Sequence, residues 1–133
     1  MTPELTTKNR QSVLIVDQSA ESREVLRTVL SRRGVDIYEA SGGKAGLQIA
    51  RQKHPDLIVL DLEAVSGDDP ALRVGFGDES RRQQTPMVVL GNLRQGSLDI
   101  PARQVIPKPY HYGPLIRRIE ELLAENSAAD RRV

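Results

Sequence analysis

The stretch Pro55-Asp56-Leu57-Ile58-Val59-Leu60-Asp61 decides how the chain is read. Leu57 to Leu60 are apolar without a break, as in a strand buried on both faces of a parallel sheet. Asp61 then stands at the carboxyl end of that strand, where open α/β sheets place their sites. Two other segments end in a similar way. Val13-Leu14-Ile15-Val16 runs into Asp17, and Val105-Ile106-Pro107 runs into Lys108-Pro109. Three strand ends therefore carry two carboxylates and one ammonium group to one edge of a sheet.

Working outward, strands and helices alternate, the pattern of an α/β fold. The first strand is read at Ser12–Val16. Ser19 is a candidate N-cap for a helix over Ala20–Arg33, with Val25, Leu26, Val29 and Leu30 on one stripe and Gly34 as its stop. A short strand covers Asp36–Glu39. Ser41 is the expected cap of a second helix running to Arg51, which buries Ala45, Leu47, Ile49 and Ala50 in part. His54-Pro55 ends it, because the residue before proline avoids the helical region. The key strand occupies Leu57–Leu60. From Glu63 to Thr85 the pattern is poor. Pro70 suits a first helical turn, but Gly75 and Gly77 each weaken a helix by roughly 1 kcal/mol relative to alanine. A broken or shortened third helix is expected, best formed over Asp78–Gln84. Met87–Leu90 is a fourth strand. Gly91–Gln104 contains Gly96 and Pro101 and no apolar stripe, so a full helix is not expected there. Gln104–Ile106 is a fifth strand, and Pro107, which lacks a ladder donor, suits a sheet edge. Pro114 opens a last helix ending near Glu125, with Leu115, Ile116, Ile119, Leu122 and Leu123 on its inner face. Residues 1–11 and 126–133 read as flexible ends around a single domain at 12–125.

Composition narrows the function. The 133 residues are about one domain, and such a domain buries roughly two-thirds of its unfolded surface. There is no cysteine, hence no disulfide or thiolate metal site. No apolar run reaches the roughly 18–20 residues of a membrane span, and Met1–Gln11 lacks the apolar stretch of a signal peptide. A cytoplasmic protein without a membrane partner is expected. The formal net charge is +1 and aromatic residues are 3% of the chain. Neither a basic field nor a stacking platform for nucleic acid is present. The arginine pairs 81–82, 117–118 and 131–132 are scattered among acids and read as solvated surface. His54 and His111 show no ligand spacing. Asp68-Asp69-Pro70 lacks the spaced oxygens and closing glutamate of a calcium loop. Asp17–Glu21 contains no glycine, so it is not a phosphate-cradling loop of a nucleotide site.

The acid after the first strand, the acid after the third and Lys-Pro after the fifth resemble a response-regulator receiver domain. The matching text is Val-Leu-Ile-Val-Asp at 13–17, Pro-Asp-Leu-Ile-Val-Leu-Asp at 55–61 and Lys108-Pro109, over about Ser12–Glu125. The resemblance implies a flavodoxin-like, doubly wound, five-stranded parallel sheet of order 2-1-3-4-5. The third and fourth of its crossover helices are expected to be shortened or irregular. It implies Asp61 as acceptor of a phosphoryl group from a histidine kinase or phosphotransfer protein, and Lys108 as the balancing cation. It implies Mg²⁺ on Asp17, Asp61 and the backbone carbonyl of Glu63, and contacts to phosphate from the positions of Gly91 and Asn92. Lys108-Pro109 is expected to be a cis peptide. Such an ion prefers near-octahedral oxygen ligands and keeps several waters.

The chain also departs from the family's pattern. A second acid after the first strand is replaced by Gln18, a weak substitute ligand at best, so weakened Mg²⁺ binding is expected. Gly91 stands where the family has a threonine or serine, Val105 where it has an aromatic switch residue, and Ala64-Val65 where it has Met-Pro. The stretch between Gly91 and Lys108 is shorter than the family's, which removes part of its usual output face. The expected function is that of a stand-alone receiver in a phosphorelay. It acts on an unknown downstream protein, has an altered switch and shows at most self-catalysed phosphoryl acceptance. The alternative is a degenerate receiver that binds a partner without phosphorylation; a small-molecule-binding flavodoxin-like domain is a more remote third reading.

Overall fold

A computed structural model of the protein describes residues 10–65, 70–92 and 101–131. Along the chain lie β1 (Ser12–Val16), α1 (Ala20–Arg32), β2 (Asp36–Ala40), α2 (Gly43–Lys53), β3 (Leu57–Asp61) and a 3₁₀ turn at Leu62–Val65. Then come α3 (Pro70–Gln83), β4 (Met87–Leu90), a 3₁₀ turn at Ala102–Gln104, β5 (Val105–Ile106) and α4 (Tyr112–Arg131). The five strands form one parallel sheet of order β2-β1-β3-β4-β5. This is the expected doubly wound arrangement, with β3 central and β5 at the edge.

Each central strand is apolar on both sides because each side meets a layer of helices. Val13, Ile15, Leu57, Val59, Val88 and Leu90 pack with Leu26 and Leu30 of α1 and with Leu115, Ile119 and Leu122 of α4. Leu14, Val16, Ile58, Leu60, Met87 and Val89 face the other way, onto Leu47 and Ala50 of α2 and Phe76 of α3. Alternation along a strand sends successive side chains to opposite faces, so the unbroken apolar run at 57–60 feeds two cores.

Several boundaries differ from expectation. α1 stops at Arg32, and Gly34 takes the left-handed conformation (φ 84°) that closes it. The cap of α2 is Gly42, not Ser41; Ala45 is exposed, while Gly43 and Gly46 face inward. Gln104 belongs to the 3₁₀ turn rather than to β5. Arg10 and Gln11, expected in a flexible end, are tied down: Arg10 pairs with Asp36 at 2.8 Å, and the Gln11 side chain donates to the Leu123 carbonyl at 2.9 Å.

The larger corrections concern two helices. α3 is continuous through Gly75 and Gly77 rather than broken. A β-carbon at Gly75 would lie 2.6 Å from Leu47 Cδ2, so the glycine lets α2 and α3 approach closely. The buried positions Gly75, Phe76 and Glu79 form a stripe with only one large apolar residue, which periodicity does not register. α4 continues through Asn126 to Arg131, where the sequence suggests a loose tail. Of the irregular stretch expected between β4 and β5, residues 93–100 lie outside the described residues; the 3₁₀ turn follows them.

Candidate functional site

Parallel strands deliver their carboxyl ends to one edge, and the acids stand there as the sequence predicts. Asp17 directly follows β1, anchored by its N–H donating to the Ala40 carbonyl of β2 at 3.0 Å. Its Oδ1 accepts from the N–H of Ser19 at 2.8 Å, and Ser19 in turn caps α1 by accepting from the N–H of Ser22 at 3.2 Å. Asp61 closes β3. Its Oδ1 accepts from the N–H of Glu63 at 2.9 Å, and its Oδ2 accepts from Lys108 Nζ at 2.7 Å. Both carboxylates are almost fully withdrawn from solvent, at 3% and 4% exposure. Lys108 also reaches Glu63 Oε2 at 3.1 Å, and Lys108-Pro109 is cis, as expected.

These groups line an open cleft of about 720 Å³ with Gln18, Ser19, Ser22, Pro109 and Tyr110. Burial pushes the Asp17 carboxyl above the ordinary carboxylate range. The neighbouring Asp61 charge adds to this, against the Ser19 N–H and Lys108, which pull it down. Its Oδ2 is buried with no hydrogen-bond partner. For Lys108, partial burial lowers the pKa, but the bonds and charges of Asp61 and Glu63 outweigh it and the net shift is upward. Burial raises the Tyr110 hydroxyl as well.

The remaining predicted positions divide. Gln18 donates its side-chain N–H to the Glu63 carbonyl at 3.3 Å, so the amide faces the oxygen expected to bind metal. Gly91 provides no hydroxyl, and its N–H donates to the Ile106 carbonyl at 2.9 Å instead of facing the cleft. It has φ 129°, and a β-carbon there would meet Leu62 side-chain atoms at 3.2 and 3.3 Å. Asn92 is exposed and lines a second cleft of about 290 Å³ on the β4 side of Asp61, with Leu62, Glu63, Leu90, Gly91, Lys108 and Arg73. Val105 sits half-buried on β5, opposite Val89. Sequence reasoning misses Tyr110, Ser22 and Arg73. Tyr110 is signalled by its place two residues after Lys108. Arg73 has no local signal, because only the course of α3 brings it to this edge. Among the described residues no group of three His, Cys, Asp or Glu side chains is arranged to hold a metal ion. A cation here would therefore rest on two carboxylates and main-chain oxygen.

A family model for the response regulator receiver domain matches residues 13–120. The chain belongs to this family. This receiver is 33% identical over 123 residues to the KDP operon transcriptional regulatory protein KdpE of Escherichia coli, covering 88% of the chain and 53% of KdpE. It is 32% identical over 122 residues to the probable transcriptional regulator ycf27 of Porphyridium aerugineum, covering 86% of the chain and 48% of that protein. The receiver thus spans about half the length of the curated relatives it matches. Among solved structures, a CheY-like receiver domain from Methanospirillum hungatei aligns with a TM-score of 0.72 at 18% identity, over 91% of this chain and 99% of that one. The receiver domain of the Francisella response regulator 1452 aligns with a TM-score of 0.65 at 23% identity, over 87% and 98% of the two chains. No helix among the described residues is long and apolar enough to cross a membrane.

Proposed function

We propose that this receiver accepts a phosphoryl group on Asp61 from the phosphohistidine of a histidine kinase or phosphotransfer protein, through a site with an altered switch. The observation that carries this reading is the pairing of Asp61 Oδ2 with Lys108 Nζ at 2.7 Å beside a second buried carboxylate whose Oδ2 has no partner. An oxygen of Asp61 attacks phosphorus, the bond from phosphorus to the donor's imidazole nitrogen breaks, and that nitrogen keeps the electron pair. Lys108, whose Nζ donates to Asp61 Oδ2 at 2.7 Å, is the cation that would follow the charge from carboxylate to acyl phosphate. No separate substrate is turned over, so the activity is self-modification rather than multiple-turnover catalysis.

The residues fit a hard, oxygen-seeking cation. Asp17 Oδ2 lacks any other partner, Asp61 lies next to it, and the Glu63 carbonyl borders the same cleft. When bound, Mg²⁺ would screen the negative charge that gathers as the phosphoryl group approaches. Gln18 offers an amide in place of an acid and already engages the Glu63 carbonyl, which supports weakened binding.

A second reading is favoured by specific observations. Gly91 contributes neither hydroxyl nor N–H, and Val105 places no ring on β5. A receiver built this way could act by binding a partner without phosphorylation. Intact mass after incubation with Mg²⁺ and a small phosphodonor, beside an Asp61→Asn control, separates the two. A phosphoryl adduct on the wild type and none on the control is expected. A folded wild-type protein that stays unmodified at high Mg²⁺ would overturn the acceptor reading in favour of the binding module.

A further inference from the structure

The cleft on the β4 side of Asp61 lacks the donor that the family's pattern places there, yet it contains a cation that pattern does not require. Gly91 has no side chain, and its N–H is held by the Ile106 carbonyl. Its backbone conformation and the nearness of Leu62 oppose adding a hydroxyl-bearing side chain. A serine or threonine would have to adopt φ 129° and push on a leucine that is itself buried. The local fold thus disfavours the missing hydroxyl.

Charge makes the gap acute. Asp17, Asp61 and Glu63 surround one ammonium group, that of Lys108. A phosphoryl group on Asp61 adds roughly −1.5 to −2 near neutral pH. Lys108 is already shared between Asp61 and Glu63.

Arg73 lines the same cleft as Asp61, Gly91, Asn92 and Lys108. It is the fourth residue of α3, whose first turn lies at the carboxyl edge of the sheet, and it is half-buried. Helix side chains slant toward the N-terminus of their own helix, which at this end of α3 means toward the site. Among the described residues Arg73 forms no ion pair. A guanidinium is always charged and matches two oxygens of a tetrahedral anion with parallel N–H donors.

We propose that Arg73 is a contact residue for the phosphoryl group of Asp61, binding its oxygens from the side where Gly91 leaves no donor. The role rests on Asp61 being the acceptor. The capacity of the cleft to bind a tetrahedral oxyanion through Arg73 does not, and this allows the two to be tested separately.

The first arm follows adduct formation and decay by intact mass in wild type, Arg73→Gln and Arg73→Lys, with Mg²⁺ and the small phosphodonor. The second titrates inorganic phosphate into Asp61→Asn and into the Asp61→Asn, Arg73→Gln double variant, reading amide signals at Gly91 and Asn92 by NMR. The Asp61→Asn background removes the carboxylate that repels a free anion. Loss of Arg73 should weaken phosphate binding and slow adduct formation or hasten its loss by about tenfold or more, the scale of one charge-assisted hydrogen bond. Lysine should recover part of this. Circular dichroism and melting of each variant establish that it is folded. An adduct that forms and decays alike in wild type and Arg73→Gln would overturn the role of Arg73 and leave Asp61 as acceptor. Phosphate binding that depends on Arg73 without any wild-type adduct would keep the anion site and overturn the acceptor. Neither adduct nor Arg73-dependent binding would overturn both.

Discussion

At the residue scale, Asp17 is where the proposed cation site costs the folded protein stability. A carboxylate buried beside another, with one oxygen unpartnered, is held above its ordinary pKa chiefly by desolvation. The folded state therefore binds the Asp17 proton more tightly than the unfolded state does. This contribution favours folding below the unfolded carboxylate pKa near 3.9, and it is lost as pH rises through the elevated folded value. Asp17→Asn should therefore stabilise the cation-free protein at pH 7 by about 1–3 kcal/mol, the cost of an unsatisfied buried polar group. The asparagine Oδ1 can keep the bond from the Ser19 N–H, and its amide can face Asp61. Melting curves of both proteins from pH 3 to 8 check this. The gap should be small at the acid end and widen with pH; a constant gap would contradict the assignment. Asp17, Asp61 and Lys108 are legible in the sequence because each sits one or two positions beyond an apolar strand. The positions expected to contact phosphate are not. Gly91 follows β4, but where its N–H points depends on the neighbouring β5, and nothing local shows that Arg73 shares its cleft.

At the element scale, α2 and α3 show glycine used for proximity rather than for turning. A β-carbon at Gly46 would lie 2.6 and 2.9 Å from the two methyl groups of Val16 and 3.3 Å from Phe76 Cζ. Val16 is a fully buried strand residue and has little room to move. Gly46→Ala should gain about 1 kcal/mol in helix propensity but lose more to overpacking, typically 1–3 kcal/mol. A net loss of stability is expected in chemical denaturation, and a gain would show that the helix can shift away from β1. The same logic explains why the sequence reads α3 as broken. Its inner stripe of Gly75, Phe76 and Glu79 carries a single large apolar side chain, and Glu79 lies near Arg82 and Arg51 at 3.5 and 3.6 Å. Propensity and periodicity both read against this helix, and packing against Leu47 outweighs them.

At the scale of the whole molecule, cation binding at one edge should be readable as global stability. A ligand that binds only the folded state raises the melting temperature, the more so as its concentration exceeds its Kd. Gln18→Asp should lower stability without Mg²⁺, because it crowds a third acid against Asp17 and Asp61. It should raise stability at saturating Mg²⁺, because it adds an anionic ligand and frees the Glu63 carbonyl from the Gln18 amide. The melting curves of wild type and variant as a function of Mg²⁺ should therefore cross, each tenfold gain in affinity being worth about 1.4 kcal/mol. Parallel curves would mean that Gln18 does not limit the metal site.

By itself, the sequence determined the alternation of strands and helices, the two-faced burial of β3 and the family. The strand-end residues Asp17, Asp61 and Lys108 followed from the same reading. These are local signals: an apolar run, a charge just past its end, and a fixed order along the chain. Only the tertiary structure decided that α3 is whole, that α4 continues through Arg131, and that Gly91 has no donor facing the cleft. The same is true of the placement of Arg73 on the cleft that Asp61 also lines. Each depends on contacts between residues distant in sequence, such as Gly75 with Leu47 or Gly91 with Ile106. No spacing along one segment encodes how closely two helices approach or which carbonyl a neighbouring strand presents.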